Sequence, residues 1–218
     1  MQVMITSHWP LFGLRVATPR LELRLPTLEE LAELADLAAE GVHDPAMMPF
    51  REPWTDAEPA LRARGVLQYH WKQWGTWTPE DWSLNFVVFH DGVVVGTQKL
   101  GARNFAILRE VSTASWLGRR HHGRGIGTEM RAAVLHFAFA GLGAEQATTG
   151  AFRDNAASWG VSRKLGYQAD GIARLVVRGQ PVVERRLRLD RVDWEAHHGI
   201  SVEISGLEPC LPLFGLSC

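Results

Sequence analysis

Polar and apolar residues alternate over positions 20–25 (RLELRL), the period-two pattern of a half-buried strand. The period then changes. Leu28, Leu31, Leu34, Ala35 and Ala38 recur at helical spacing, behind the capping box Thr27-Leu28-Glu29-Glu30 and ahead of a stop at Gly41. A looser stretch rich in Pro and Met covers 44–54. Thr55-x-x-Glu58 predicts a second capping box, opening a helix that carries Leu61, Leu67, Trp71 and Trp74. Apolar runs at 84–90 and 93–100 flank Asp91-Gly92, a hairpin signal. Residues 111–117 predict a further strand. Residues 128–140 predict a helix with Met130, Val134, Phe137 and Ala138 on one face and Gly141 as its end. A strand is expected at 146–152, and Asn155 caps a helix that runs to Lys164 and closes at Gly166. A last antiparallel pair, 175–177 with 182–189, is expected around Gly179-Gln180-Pro181.

The resulting order, β-α-α-β-β-β-α-β-α-β-β, predicts an α+β fold with a mostly antiparallel sheet and one central crossover. The 218 residues suit a single domain over 1–218, and the 46% apolar share suffices for its core. A formal net charge of −1 gives no case for nucleic acid or a membrane surface as partner. No apolar run approaches the ~20 residues of a membrane span. Residues 1–9 lack the basic and apolar regions of a signal peptide, so the expected location is the cytoplasm. Cys210 and Cys218 are too few for a disulfide framework and have no zinc spacing, so no metal is expected. Trp71, Trp74, Trp77 and Trp82 fall close together and predict an aromatic wall. A short echo links Pro10-Leu11-Phe12-Gly13-Leu14 with Pro212-Leu213-Phe214-Gly215-Leu216. It is either coincidence or a sign that both ends share one apolar surface; on the second reading a homodimer or larger assembly is expected there.

Chemistry concentrates between the strand at 111–117 and the helix that follows. Arg120-His121-His122-Gly123-Arg124-Gly125 leads through Ile126-Gly127-Thr128 into that helix. Glycines let successive backbone N–H groups face one concavity, and the helix adds its orphan donors and the positive end of its dipole. The sum is an anion site suited to a pyrophosphate, with Arg119, Arg120 and Arg124 as charged donors. A Walker loop would need Gly-Lys-Ser/Thr, and no lysine stands there. A dinucleotide fingerprint would need G-x-G-x-x-G, and Glu145 precedes the next strand, whereas a ribose ligand ends it. A plain strand-to-helix turn is the bland alternative.

R-x-x-G-x-G between a strand and a helix resembles the acyl-CoA loop of the GNAT N-acyltransferases. Residues 155–167 (NAASWGVSRKLGY) are similar to that family's next motif, N-x-x-S-x-x-V-x-x-K-x-G-F/Y. The likeness covers about residues 18–193. Trp116-Leu117-Gly118 and the Ser-containing second motif resemble the branch that includes ribosomal-protein N-terminal acetyltransferases. His8-Trp9-Pro10-Leu11-Phe12 and Met48-Pro49-Phe50-x-x-Pro53-Trp54 look similar to actinobacterial proteins described as succinyl-CoA transferases.

The resemblance implies a GNAT fold, with helices on both sheet faces and a V-shaped splay between the strands at 111–117 and 146–152. It implies an acyl-CoA donor, acetyl-CoA or succinyl-CoA, whose pantetheine arm pairs with Ser115, Trp116 and Leu117. The pyrophosphate would sit on Arg120, Gly123, Arg124, Gly125, Ile126, Gly127 and Thr128. The acceptor would be a primary amine: a protein N-terminus, a lysine or a small amine.

Individual residues carry two readings each. Asn155 is a helix N-cap and, by resemblance, a cofactor contact. Ser158 is a solvent-facing serine or a hydroxyl on the thioester sulfur. Ser162 stands where many relatives carry an acidic tyrosine, and Ser112 where many carry a carboxylate. Glu110, on the same strand face as Ser112, is an exposed strand-start residue or a base acting through water. Tyr167 and the tryptophans read as packing. Arg51, His70 and Arg103 are the cations considered for an acidic acyl chain. The rival to an enzyme is a non-catalytic acyl-CoA-binding module on the same fold.

Overall fold

The computed structural model describes residues 4–197 and 199–217; Cys218 and residues 1–3 lie outside them. The strands are Arg15–Ala17 (β1), Leu21–Arg24 (β2), Asp81–His90 (β3), Val93–Arg103 (β4), Glu110–Leu117 (β5), Gln146–Phe152 (β6), Gln168–Val177 (β7), Gln180–Asp190 (β8) and Glu203–Ser205 (β9). The α-helices are Leu28–Glu40 (α1), Pro59–Gly75 (α2), Phe105–Leu108 (α3), Ile126–His136 (α4), Ala156–Lys164 (α5) and Arg191–His197 (α6). One sheet runs β7-β8-β6-β5-β4-β3-β2-β1-β9, parallel only where β5 meets β6.

Helices α1 and α2 cover one face of the sheet and α4 the other. β3 is therefore buried almost end to end. Its Leu84, Phe86 and Val88 join the α4-side core, and Val87 and Phe89 join the core under α1 and α2. Each such side chain contributes about 1.5–3 kcal/mol on leaving water. The Thr27 box forms in full, with Thr27 Oγ1 accepting from the Glu30 amide and Glu30 Oε2 from the Thr27 amide.

Several expectations are corrected. Thr55 caps nothing: its hydroxyl meets His43 Nε2 at 2.7 Å, and α2 starts at Pro59 with Glu58 as N-cap. Of the expected α2 face, Leu67 and Trp74 pack on the core beside the buried Val66 and His70, while Leu61 and Trp71 are exposed, because the inward stripe is rotated from the expected one. α4 ends in a π-turn over Phe137–Gly141 and is buried on nearly every side. The turn between β7 and β8 is Arg178-Gly179, both at positive φ, so Gln180 and Pro181 belong to β8. β1, α3, α6, β9 and a 3-10 helix at Glu208–Phe214 were not foreseen. The terminal echo does share one surface, but an internal one. Leu11, Leu14 and Phe214 are fully buried, Trp82 stacks on Trp77, and Phe214 sits edge-on to both rings. Phe12, Leu213 and Leu216 of the same echo are half-buried.

Candidate active site

β5 and β6 pair only at Glu110↔Gln146, Val111↔Ala147 and Ser112↔Thr148. A further pair of links follows, from the Thr149 hydroxyl to the Thr113 carbonyl at 3.0 Å and from the Thr113 hydroxyl to the Thr148 carbonyl at 3.5 Å. Beyond it the strands part, leaving the β6-facing edge of residues 114–117 unpaired with its neighbour strand. The Leu117 carbonyl lies 3.1 Å from His122 Nε2. Trp116 turns to the α1/α2 side, against Trp54 at 5.8 Å.

Gly123 and Gly125 follow β5 with φ of 75° and 78°, the left-handed region that a side chain disfavours. Gly125 is the N-cap of α4, and no side chain caps that helix end. The amides of its first turn thus face out beside the exposed Arg124. Arg120 is turned toward Glu40 in an ion pair, so its place at an anion depends on exchanging that partner. Arg20 was missed by sequence reading. Its Nε donates to Glu129 Oε2 at 2.7 Å, and its Nη2 lies 3.5 Å from where a Cβ on Gly125 would stand. His121 is buried beside two arginines, and burial holds its pKa below the ordinary value.

A buried arginine floors the gap. Arg131, on α4, sends Nη2 to Ser115 Oγ (3.0 Å), Nη1 to Thr149 Oγ1 (3.4 Å) and Nε to Gln98 Oε1 (3.4 Å), thereby touching β5, β6 and β4. It makes no ion pair among the described residues; its closest polar partners are neutral. Desolvation lowers its pKa, opposed by Tyr167. The buried Tyr167 phenol, 3.3 Å from Thr113 Oγ1, is raised by burial and partly held back by Arg131. Tyr167 is therefore core, as expected, but core with a polar task. An arginine set within Met130 and Ala132-Ala133-Val134-Leu135 was the legible signal for this network.

On the opposite face Glu184 lies over Gly150, where a Cβ would come within 2.6 Å of its carboxyl carbon. Arg51 holds it in a fork, Nε to Oε1 at 2.8 Å and Nη2 to Oε2 at 2.5 Å. This clamp ties the α1–α2 connection to β8, and Arg178–Asp56 adds a second tie at 2.5 Å.

Asn155 Oδ1 accepts from the Ser158 amide at 3.0 Å, so the cap forms. Ser158 is half-buried in the first turn of α5. Ser162 is buried, and its hydroxyl donates to the Ser158 carbonyl at 3.1 Å. Glu110 is exposed at the start of β5. It stands at the closed end of the gap, whereas Ser158 follows the open end of β6.

An open, mostly antiparallel sheet that splays beside an uncapped glycine-rich helix start is the arrangement expected of a GNAT fold. A family profile described as an acetyltransferase (GNAT) domain matches residues 20–168. A GCN5-related N-acetyltransferase from Brucella melitensis is similar at 19% identity and TM-score 0.65, over 84% of this chain and 81% of that one. RimJ of Mycobacterium smegmatis, solved with a CoA disulfide, is similar at 18% and 0.62, over 83% and 88%. A spermidine N-acetyltransferase chimera from Vibrio cholerae and human sequences is similar at 15% and 0.64, over 81% and 98%. At these identities the likeness to solved structures is one of fold. The family match spans well over half of the chain, which belongs to the GNAT acetyltransferases.

Proposed function

We propose that this protein transfers an acyl group from acyl-CoA to a primary amine by direct attack in a ternary complex. The carrying observation is the junction of two features: the parting of β5 from β6 after Ser112 and Thr148, and the uncapped α4 start at Gly125. The first offers unpaired strand edge to a pantetheine amide, and the second offers amide donors to a pyrophosphate. Ser115, Trp116 and Leu117 would line the arm. Gly123, Arg124, Gly125, Ile126, Gly127 and Thr128 would hold the phosphates with Arg120, and Asn155 would orient the start of α5.

Alignment of amine and thioester supplies much of the rate, about 7–11 kcal/mol in favourable cases. The amine nitrogen bonds to the acyl carbon, the carbon–sulfur bond breaks, and the electron pair leaves on sulfur. A thiolate of pKa near ~8.5 needs modest help, which we assign to a hydrogen bond from Ser158. The amine proton passes to water, with Glu110, at the start of β5, as the carboxylate we assign to receive it. Water would carry that proton from the amine to Glu110. Acetyl is the acyl group the family uses; succinyl is the further candidate. The acceptor is a protein N-terminus, a lysine or a small amine, and the setting is cytoplasmic.

Gly125→Asp tests the reading. A side chain and a negative charge at the pyrophosphate seat should weaken CoA by more than ~2 kcal/mol in calorimetry. Gly125→Ala controls for backbone strain, which alone costs about 1 kcal/mol. Equal CoA affinity in all three proteins would overturn the assignment of the loop.

A further inference from the structure

The three cations first considered for an acidic acyl chain are all accounted for. Arg51 is held by Glu184, Arg103 meets Asp81 at 3.2 Å, and His70 is buried, with burial alone lowering its pKa to about 4. A fourth cation remains. Lys99 lies on β4, on the face under α2, and its ammonium makes no hydrogen bond or ion pair among the described residues. Its nearest acid in charge terms is Asp81, which Arg103 already engages. Desolvation pulls its pKa down, as expected for an ammonium without a bonded counter-ion.

Its position is specific. The Lys99 stem lies across Gly101, with Cε 3.0 Å from where a Gly101 Cβ would stand, and Ser112 Oγ is 3.6 Å from the same point. Gly101 pairs with Ser112, the residue at which β5 leaves β6. The ammonium end thus reaches the closed apex of the gap, on the face away from α4. There it lines a cavity of about 550 Å3, together with Lys72, Arg103, Asp81, Glu110 and Ser112. With Arg103 and Asp81 paired to one another, Lys72 and Lys99 outnumber Glu110. The cavity is net cationic in a protein of net charge −1.

We propose that Lys99 and its cavity bind a carboxylate carried by one of the two substrates. The inference rests on the acyl-transfer reading, which sets the acyl chain and the attacking amine in the gap between β5 and β6. The carboxylate is either the far end of a dicarboxylic acyl chain or an acidic group on the acceptor beside its amine. Burial strips part of the water from the Lys99 ammonium, and a carboxylate would replace it with a charge-assisted hydrogen bond. The same cavity disfavours an acceptor that is a bare polycation.

Calorimetry on the intact chain decides, with wild type, Lys99→Met and Lys99→Arg compared. In the donor arm, succinyl-CoA and acetyl-CoA are the probes. If the acyl chain is the source, Lys99→Met weakens succinyl-CoA by roughly tenfold or more and acetyl-CoA by less than about twofold, and Lys99→Arg restores binding. In the acceptor arm, the peptides Ser-Glu-Glu-Ala and Ser-Gln-Gln-Ala are titrated into CoA-saturated protein. If the acceptor is the source, only the acidic peptide binds wild type and loses roughly tenfold in Lys99→Met. Intact acetyl-CoA binding with no charge discrimination in either arm overturns the carboxylate site alone. A wild type that binds no acyl-CoA overturns both readings.

Discussion

Ser112 and Thr148 are the last residues at which β5 and β6 stand in register, and Arg131 lies beneath the point where they part. The buried Gln98 carbonyl takes one of that guanidinium's hydrogen bonds, and Ser115 and Thr149 take two more. Arg131→Leu removes the shared donor. Urea unfolding should show a loss of about 1–3 kcal/mol. Stability equal to wild type would mean that the network is replaceable by apolar packing.

Ser158 should affect rate and not binding. Ser158→Ala is expected to lower kcat roughly tenfold while leaving CoA affinity nearly intact, since hydrogen-bonding help to a leaving group falls at the low end of ~10²–10⁴-fold. Asn155→Ala should behave differently, losing about 1 kcal/mol of stability with its cap. Full turnover in the Ser158 variant, measured as free CoA released, would remove Ser158 from the mechanism.

The Arg51–Glu184 clamp should be asymmetric. Its arginine side chain is 64% exposed and its glutamate side chain 4% exposed. Arg51→Ala strands a buried carboxylate and should cost about 3 kcal/mol or more. Glu184→Gln frees an arginine that water can solvate and keeps a polar group in place, so its cost should be nearer ~1 kcal/mol. Thermal and urea unfolding of both variants checks the order, which is the informative result.

His70 predicts an acid limb in stability. Burial alone lowers its pKa to about 4 from 6.5, so the folded state prefers the neutral ring. The unfolded chain binds the proton first as pH falls. Stability from this group is full above 6.5 and is lost between 6.5 and about 4. At ~1.36 kcal/mol per pKa unit the loss is roughly 3 kcal/mol. His70→Leu should flatten that limb in unfolding measured from pH 7 to pH 4. An unchanged slope would place the acid sensitivity elsewhere.

Phe214 and Cys210 should matter to the fold and not to the reaction. Phe214 is fully buried against Trp82 at 4.9 Å, so Phe214→Ala should cost about 3–5 kcal/mol. The Cys210 thiol donates to the Gly206 carbonyl at 3.2 Å, and burial raises its pKa to about 11. It should resist thiol reagents in the native state at pH 8, and Cys210→Ser should leave turnover unchanged. A trapped acyl-enzyme on Cys210 would contradict direct transfer.

The sequence was most informative where local physics decides conformation. The Thr27 box, the Asp91-Gly92 turn, the Asn155 cap and the left-handed glycines before α4 each need only neighbouring residues. It misled where a distant partner competes. Thr55 fits a capping box until His43, twelve positions earlier, takes its hydroxyl. Arg20, Glu184 and Lys99 could not be placed at the site from spacing, because each arrives through sheet pairing or a side chain lying across another strand. Arg131 was missed as well, although a charge inside an apolar helix could have marked it.

Val16 on β1 pairs with Ile204 on β9, and Leu11 and Phe214 are buried in the same core. Those contacts join segments almost two hundred positions apart. Such closures carry a large entropic cost before any contact compensates it, and chains rich in them fold slowly. Kinetically, the edge made by β1, β9 and the 3-10 helix at Glu208–Phe214 should therefore assemble late, after the β3–β4 hairpin has formed. Until it does, Trp77 and Trp82 stay open to water, a ready fluorescence signal for the final phase of folding and the surface through which a half-made chain would aggregate.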